Sequence, residues 1–164
     1  MYQASNEFRH EGFRDTPEGR LWTTVLVSAV GSLERIKEFY EHGYEDRIES
    51  IRRDYWIGRR RRGKSAKLSS DEVKVRVWEV NKLIRQCPAE RKHAEWFFFA
   101  EDSSFPWICS AMEYDVESIR KEVRNRLKRI KQLEESVAPL DIRSIVDNGQ
   151  GETKAPKLLS VAPS

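Results

Sequence analysis

Cysteine is scarce in this 164-residue chain: Cys87 and Cys109 are the only two, and they form no CxxC or other short-range pattern. That excludes a disulfide-framed secreted scaffold and a cysteine-based zinc ribbon, and it predicts two reduced, buried thiols of a cytoplasmic protein. Histidine is equally thin. His10, His42 and His93 lie far apart, and none has an acidic or thiol partner at metal-ligand spacing. Long apolar runs are missing as well, since none approaches the ~18 residues a membrane span requires, and no signal peptide is recognisable. Neither a nucleophile elbow nor a clustered carboxylate pair stands out. The expectation is a non-enzymatic cytoplasmic protein with no metal, no cofactor and no membrane partner.

Charge is what the chain has in quantity. Charged residues make up 35% and hydrophobic residues 38%, and the five Trp provide large side chains for a modest core. The net charge is only +3, yet the positive residues concentrate in two places, residues 52–67 and 120–131. Dense local basic charge bears more on nucleic-acid binding than the total does.

The chain order predicts an all-α domain of five or six helices over residues 16–137. A flexible arm, 1–15, precedes it and a disordered tail, 138–164, rich in Gly, Pro and Ser, follows. Thr16-Pro17-Glu18 reads as a helix start. Leu21, Trp22, Val25, Leu26, Ala29, Val30, Leu33, Ile36, Phe39 and Tyr40 then recur at helical spacing, up to an end near His42-Gly43. Gly31 interrupts this helix and suggests a close crossing. Ile48, Ile51 and Tyr55 mark a second helix, stopping at Gly58. Ser69-Ser70-Asp71-Glu72 has the form of a capping box. Residues 73–80 alternate like a strand but also fit a helix, and the cap favours the helix. Pro88 is read as the start of the next helix, carrying the block Trp96-Phe97-Phe98-Phe99 into the core.

Between the second and third helices lies a basic loop, 58–68. Gly58 to Ser65 satisfies the formula of a phosphate-binding P-loop, GxxxxGKS. That motif needs a buried strand before it and a helix directly after, so that backbone N–H groups converge on phosphate. Here an amphipathic charged helix, IESIRRDYW, precedes it and no strand ending in Asp follows, so the match is read as false. Arg59, Arg60, Arg61, Arg62, Lys64 and Lys67 are instead candidate contacts to nucleic-acid phosphates, because adjacent like charges repel and call for an external anion.

The sharpest signal spans residues 95–133. A short apolar segment, Phe105 to Tyr114, breaks at Asp115 and restarts as a basic helix with Ile119, Val123, Leu127 and Ile130 on one face. Short helix, tight turn and longer basic helix is the plan of the helix-turn-helix, whose second helix enters the major groove. Ile108 and Met112 would point inward, Cys109 would fill the small slot between the helices, and Asp115 would be the N-cap. Glu113 occupies the turn position that glycine usually holds, where a left-handed backbone costs roughly 1 kcal/mol. Ser118, Arg120, Lys121 and Arg124 are then the candidate base readers, Arg120 and Arg124 foremost, with Lys128 and Lys131 as phosphate contacts.

Trp96, Glu101-Asp102, Phe105, Ile108-Cys109, Met112, Asp115 and Ile119-Arg120 together resemble a segment of small phage and prophage helical proteins. The upstream Leu21-Trp22, Val25-Leu26 and Ala29-Val30 are similar to their opening helix. Glu113 and Val116 depart from the glycine and proline of that pattern. The helix-turn-helix half also looks like the DNA-reading end of sigma-factor-type regulators. The resemblance implies phage origin and residence in a host bacterial cytoplasm. Together these readings favour a phage-encoded DNA-binding transcription regulator. Two alternatives stay open: an interaction protein that binds a host or phage protein such as a polymerase or nuclease, and a small-terminase-like packaging component that forms a homo-oligomer on DNA.

Overall fold

The computed structural model describes residues 15–61 and 64–147, and of the side chains of residues 59–65 nothing is described. The arm, apart from Asp15, and residues 148–164 of the expected tail lie outside the described residues, as does Arg62. The fold is all-α, as the periodicity predicts, with one short two-stranded ribbon. Its elements are α1 (Pro17–Glu38), a π-helical turn (Phe39–Gly43), α2 (Tyr44–Trp56), β1 (Arg59–Arg61), β2 (Lys64–Ala66), α3 (Ser70–Phe99), α4 (Phe105–Met112), α5 (Val116–Ser136) and α6 (Arg143–Val146). The chain divides into two compact units. The first takes its described residues from Met1–Glu45 and Asn81–Pro139, the second from Asp46–Val80 and Leu140–Ser164.

α1 begins where the sequence says it should: Thr16 Oγ1 accepts a hydrogen bond from the Gly19 amide at 3.0 Å, and Pro17 follows the cap. It buries Leu26, Leu33 and Ile36, while Leu21, expected on the same stripe, is exposed. Gly43 does not end it. The chain passes through the π-helical turn directly into α2, because that turn absorbs an extra residue without breaking the hydrogen-bonded ladder. Gly31 makes no close crossing among the described residues either. A Cβ added there would meet only the tip of Arg35, at 3.6 Å.

α3 starts on a reciprocal capping box: the Ser69 amide donates to Glu72 Oε2 at 2.7 Å and the Glu72 amide to Ser69 Oγ at 3.2 Å. The ambiguous segment 73–80 is helical, with Val73, Val77 and Val80 buried at helical spacing. Pro88 does not open a new helix; it sits inside α3. An interior proline costs ~3 kcal/mol or more through its missing N–H and its clash with the preceding turn. Buried side chains on both sides, Cys87 before it and Arg91, Ala94, Phe97 and Phe98 after it, keep the flanking turns in register.

The core of the first unit forms where α1, α3, α4 and α5 meet. Phe98 and Phe105 are fully buried with rings 5.0 Å apart, and Phe97 lies 5.1 Å from Phe98. Trp22 and Trp107 meet edge to face at 5.0 Å. Trp96 breaks the expected aromatic block, being 49% exposed and stacked beside His93 instead. Its position falls off the face that carries Ala94, Phe97 and Phe98 inward. Arg91 clamps α3 to α5 with a bidentate pair to Glu134, Nε to Oε2 at 2.8 Å and Nη2 to Oε1 at 3.3 Å, and its Nη1 reaches Glu95 at 3.1 Å.

In the second unit Ile48, Ile51, Val73, Val77, Val80, Leu140 and Ile145 are buried. Asp54, 1% exposed, accepts a hydrogen bond from Arg76 at 2.8 Å, and its carbonyl accepts from the Leu68 amide at 3.0 Å. Trp56 Nε1 donates to the Ile145 carbonyl at 3.0 Å. The tail expected from 138 onward is therefore corrected at its start. Leu140 and Ile145 supply enough apolar surface to hold residues 140–147, including α6, in place.

Candidate nucleic-acid interface

The helix-turn-helix order is present in the first unit: α4, a sharp turn, then α5. Glu113 takes the left-handed conformation (φ 57°, ψ 37°) that the pattern requires. The Tyr114 amide then donates to the Cys109 carbonyl at 2.9 Å and the Glu113 amide to the Ser110 carbonyl at 3.4 Å, the paired bonds of a Schellman turn. Cys109 is fully buried in this region, and burial pushes its thiol up to about 11. Asp115 caps α5: its Oδ2 accepts from the Ser118 amide at 2.8 Å, and hydrogen bonds from Ser118 hold its carboxyl below the usual range. Val123, Leu127 and Ile130 are buried on one side of α5.

The basic residues of α5 divide into two groups. Most have carboxylate partners within the chain. Arg126 meets Glu34 at 3.0 Å and Glu122 at 3.4 Å, Arg129 meets Glu41 at 3.3 Å, and Lys131 meets Glu95 at 3.0 Å. Arg124 lies 3.6 Å from Glu117, with its guanidinium over the Phe99 ring at 5.3 Å. Arg120 is the most committed of all. Its Nε donates to the Phe98 carbonyl at 2.9 Å, its Nη1 lies 3.3 Å from Glu117, and it sits over the Phe105 ring, with its side chain 20% exposed. It closes the C-terminal end of α3, where a carbonyl lacks a helical partner.

Lys121 and Lys128 make up the second group. Both are exposed, and no acidic partner among the described residues engages either one. They share an outward stripe with Ser118, Asn125 and Gln132, none of them acidic, at the 3–4 spacing of one helix face. Reading the sequence for charge alone passes over Asn125 and Gln132. The signal is there in the spacing 118, 121, 125, 128, 132. Arg124, Lys128 and Lys131 also line a groove of about 530 Å³ against Glu95 and Phe99 of α3. Its two acids, Glu95 and Glu135, partly neutralise it.

The arginine run occupies the second unit. β1 and β2 pair antiparallel, Arg59 with Ala66, Arg60 with Ser65 and Arg61 with Lys64. Arg59–Arg61, Lys64 and Ser65 of the GxxxxGKS run therefore lie on two paired strands rather than on a turn from strand to helix. Four of the paired positions hold Arg or Lys, Lys67 beyond them is exposed, and no acidic residue occurs between Asp54 and Asp71.

Among the described residues no group of three or more His, Cys, Asp or Glu could hold a metal ion, and no helix is long and apolar enough to cross a membrane. Comparisons with known protein families, with curated proteins and with solved structures found no match to the chain.

Proposed function

We propose that this protein binds duplex DNA and acts as a transcription regulator, with the first turns of α5 in the major groove. The observation that carries the reading is the acid-free stripe Ser118, Lys121, Asn125, Lys128 and Gln132, which begins directly after the helix-turn-helix turn. Lys121 and Lys128, which meet no acid among the described residues, would release counterions from DNA at little cost, whereas Arg126 or Lys131 would first have to give up a carboxylate. Asn and Gln suit the donor–acceptor edge of adenine, and Ser suits several edges. Arg120 is a positioning residue in this reading and Arg124 a secondary contact. In the second unit, taken by itself, the paired strands Arg59–Arg61 and Lys64–Ala66 are a further candidate for phosphate contact, since two-stranded ribbons also fit the major groove.

The test is fluorescence anisotropy with labelled duplexes at several salt concentrations, followed by binding-site selection from a random library. Lys121→Ala with Lys128→Ala should weaken binding to every duplex and flatten the slope of log K against log salt by roughly 0.9 for each phosphate no longer neutralised. Asn125→Ala should relax discrimination at one base position by about 1–3 kcal/mol. A slope near zero for the wild type removes the DNA reading.

A second reading has one observation in its favour. In the second unit Val75 and Trp78, one turn apart on α3, are 57% and 54% exposed, and Ile57 is 69% exposed. Exposed apolar side chains of that size mark interfaces when they cluster, so a protein partner, such as a nucleic-acid enzyme, is the alternative. Trp78→Ala would then abolish capture of that partner and leave the salt slope on DNA unchanged.

A further inference from the structure

α1 presents a surface whose role does not depend on DNA binding. Its outward face carries Val27, 66% exposed. It borders a groove of about 670 Å³ between α1 and α5, lined almost wholly by carbon from residues that include Thr23, Val27, Val30, Gly31, Ile119 and Val123. Gly31 forms part of this wall although nothing among the described residues packs closely on it: an added Cβ would meet only Arg35, at 3.6 Å. A glycine costs about 1 kcal/mol in a helix interior, and here no contact among the described residues accounts for it.

The residues along that face have a symmetry of their own. Arg20, Thr23, Val27, Gly31 and Glu34 follow each other at spacings of three or four and fall on one stripe. Val27 stands midway, with Arg20 and Glu34 seven residues to either side. We infer that this face docks on the same face of a second copy of the chain, the two α1 helices running antiparallel across a two-fold axis at Val27. That arrangement sets Val27 against Val27, Thr23 against Gly31 and Arg20 against Glu34, each of the last two pairs occurring twice, as an isologous contact demands. A parallel arrangement would oppose Arg20 to Arg20 and Glu34 to Glu34, which charge disfavours. Glu34 can take the added cation. It already meets Arg126 at 3.0 Å and Lys37 at 3.8 Å, yet its side chain keeps 46% exposure. The absent side chain of Gly31 gives the second backbone room to approach, and each Val27 covers the apolar groove of the other copy.

Ser118 lines the groove and would be covered by the second copy, whereas Lys121, Asn125, Lys128 and Gln132 do not line it, so dimerisation leaves that part of the outward stripe open.

Sedimentation equilibrium on the full chain across micromolar concentrations should give a mass approaching twice the 19.3 kDa of one chain. Val27→Glu brings two carboxylates together on the axis and should weaken the dimer at least tenfold, with the helical circular dichroism unchanged. Arg20→Glu should weaken it too, and Arg20→Glu with Glu34→Arg should recover part of the loss. Val27→Cys under mild oxidation should form a covalent dimer, while the wild-type chain, whose two cysteines are buried, should not. A wild type that stays monomeric at every concentration overturns the inference. So does a dimer that survives Val27→Glu, or one that Val27→Cys fails to cross-link. If Val27→Glu does not fold, the cross-link decides.

Discussion

Glu113 shows how a single residue can be read from sequence and still be strained. Its place in the turn is recognisable because the glycine expected there is missing, and the backbone adopts the left-handed conformation regardless, held by the bonds from its own amide and that of Tyr114. Glu113→Gly should raise stability by about 1 kcal/mol, read as a higher urea midpoint with an unchanged slope. An unchanged midpoint would mean that the turn exacts no strain. Arg120 teaches the opposite lesson. As a cation in the second turn of a basic helix it reads as a base contact, but spacing along α5 says nothing about the Phe98 carbonyl at the end of another helix. Arg120→Ala should therefore lower stability by about 1–3 kcal/mol, because that carbonyl is left without its donor. The DNA affinity of the folded fraction should change far less than it does for Lys121→Ala.

Among the elements, helices announced by local chemistry were legible, while the joins between them were not. The caps at Thr16, Ser69 and Asp115 act within one turn, and each appears where the sequence places it. The continuity of α3 through Pro88, and of α1 into α2 through the π-helical turn, depends on burial contributed from distant parts of the chain. Tertiary packing there overrides the local signal. The aromatic block was legible as core in kind but not in detail, since a helix face admits Phe97 and Phe98 and leaves Trp96 half outside. Phe98→Ala should thus cost about 3–5 kcal/mol. Trp96→Ala should stay within about 1 kcal/mol, as surface changes usually do. Equal destabilisation of the two variants in thermal unfolding would contradict the packing described.

At the scale of the whole molecule, periodicity points to an all-helical chain and composition to a modest core, but neither points to two units. The buried Leu140 and Ile145 sit in a segment whose Pro, Gly and Ser content resembles a tail, so their partners could not be seen in the sequence. Both thiols report on global stability. Burial pushes Cys87 and Cys109 up to about 11, so the folded state favours their protonated forms. A raised folded-state pKa contributes stability that is fully present below the ordinary thiol value of about 8.5 and disappears as pH rises toward about 11. The urea midpoint should accordingly fall between about pH 8 and about pH 10.5, with burial of Tyr40 adding to the decline in the same direction. A midpoint that rises over that interval would contradict the burial of these groups.

In the proposed DNA reading, Lys121 and Lys128, which engage no acid among the described residues, meet nucleic acid, and the ion-paired Arg126 and Arg129 do not. The most direct test compares Lys121→Ala/Lys128→Ala with Arg126→Ala/Arg129→Ala in the salt dependence of duplex binding. The lysine pair should flatten the slope by about 1.8, close to 0.9 for each phosphate, while the arginine pair should leave it near the wild-type value. Equal slopes for the two variants, or the greater flattening in the arginine pair, would contradict the account.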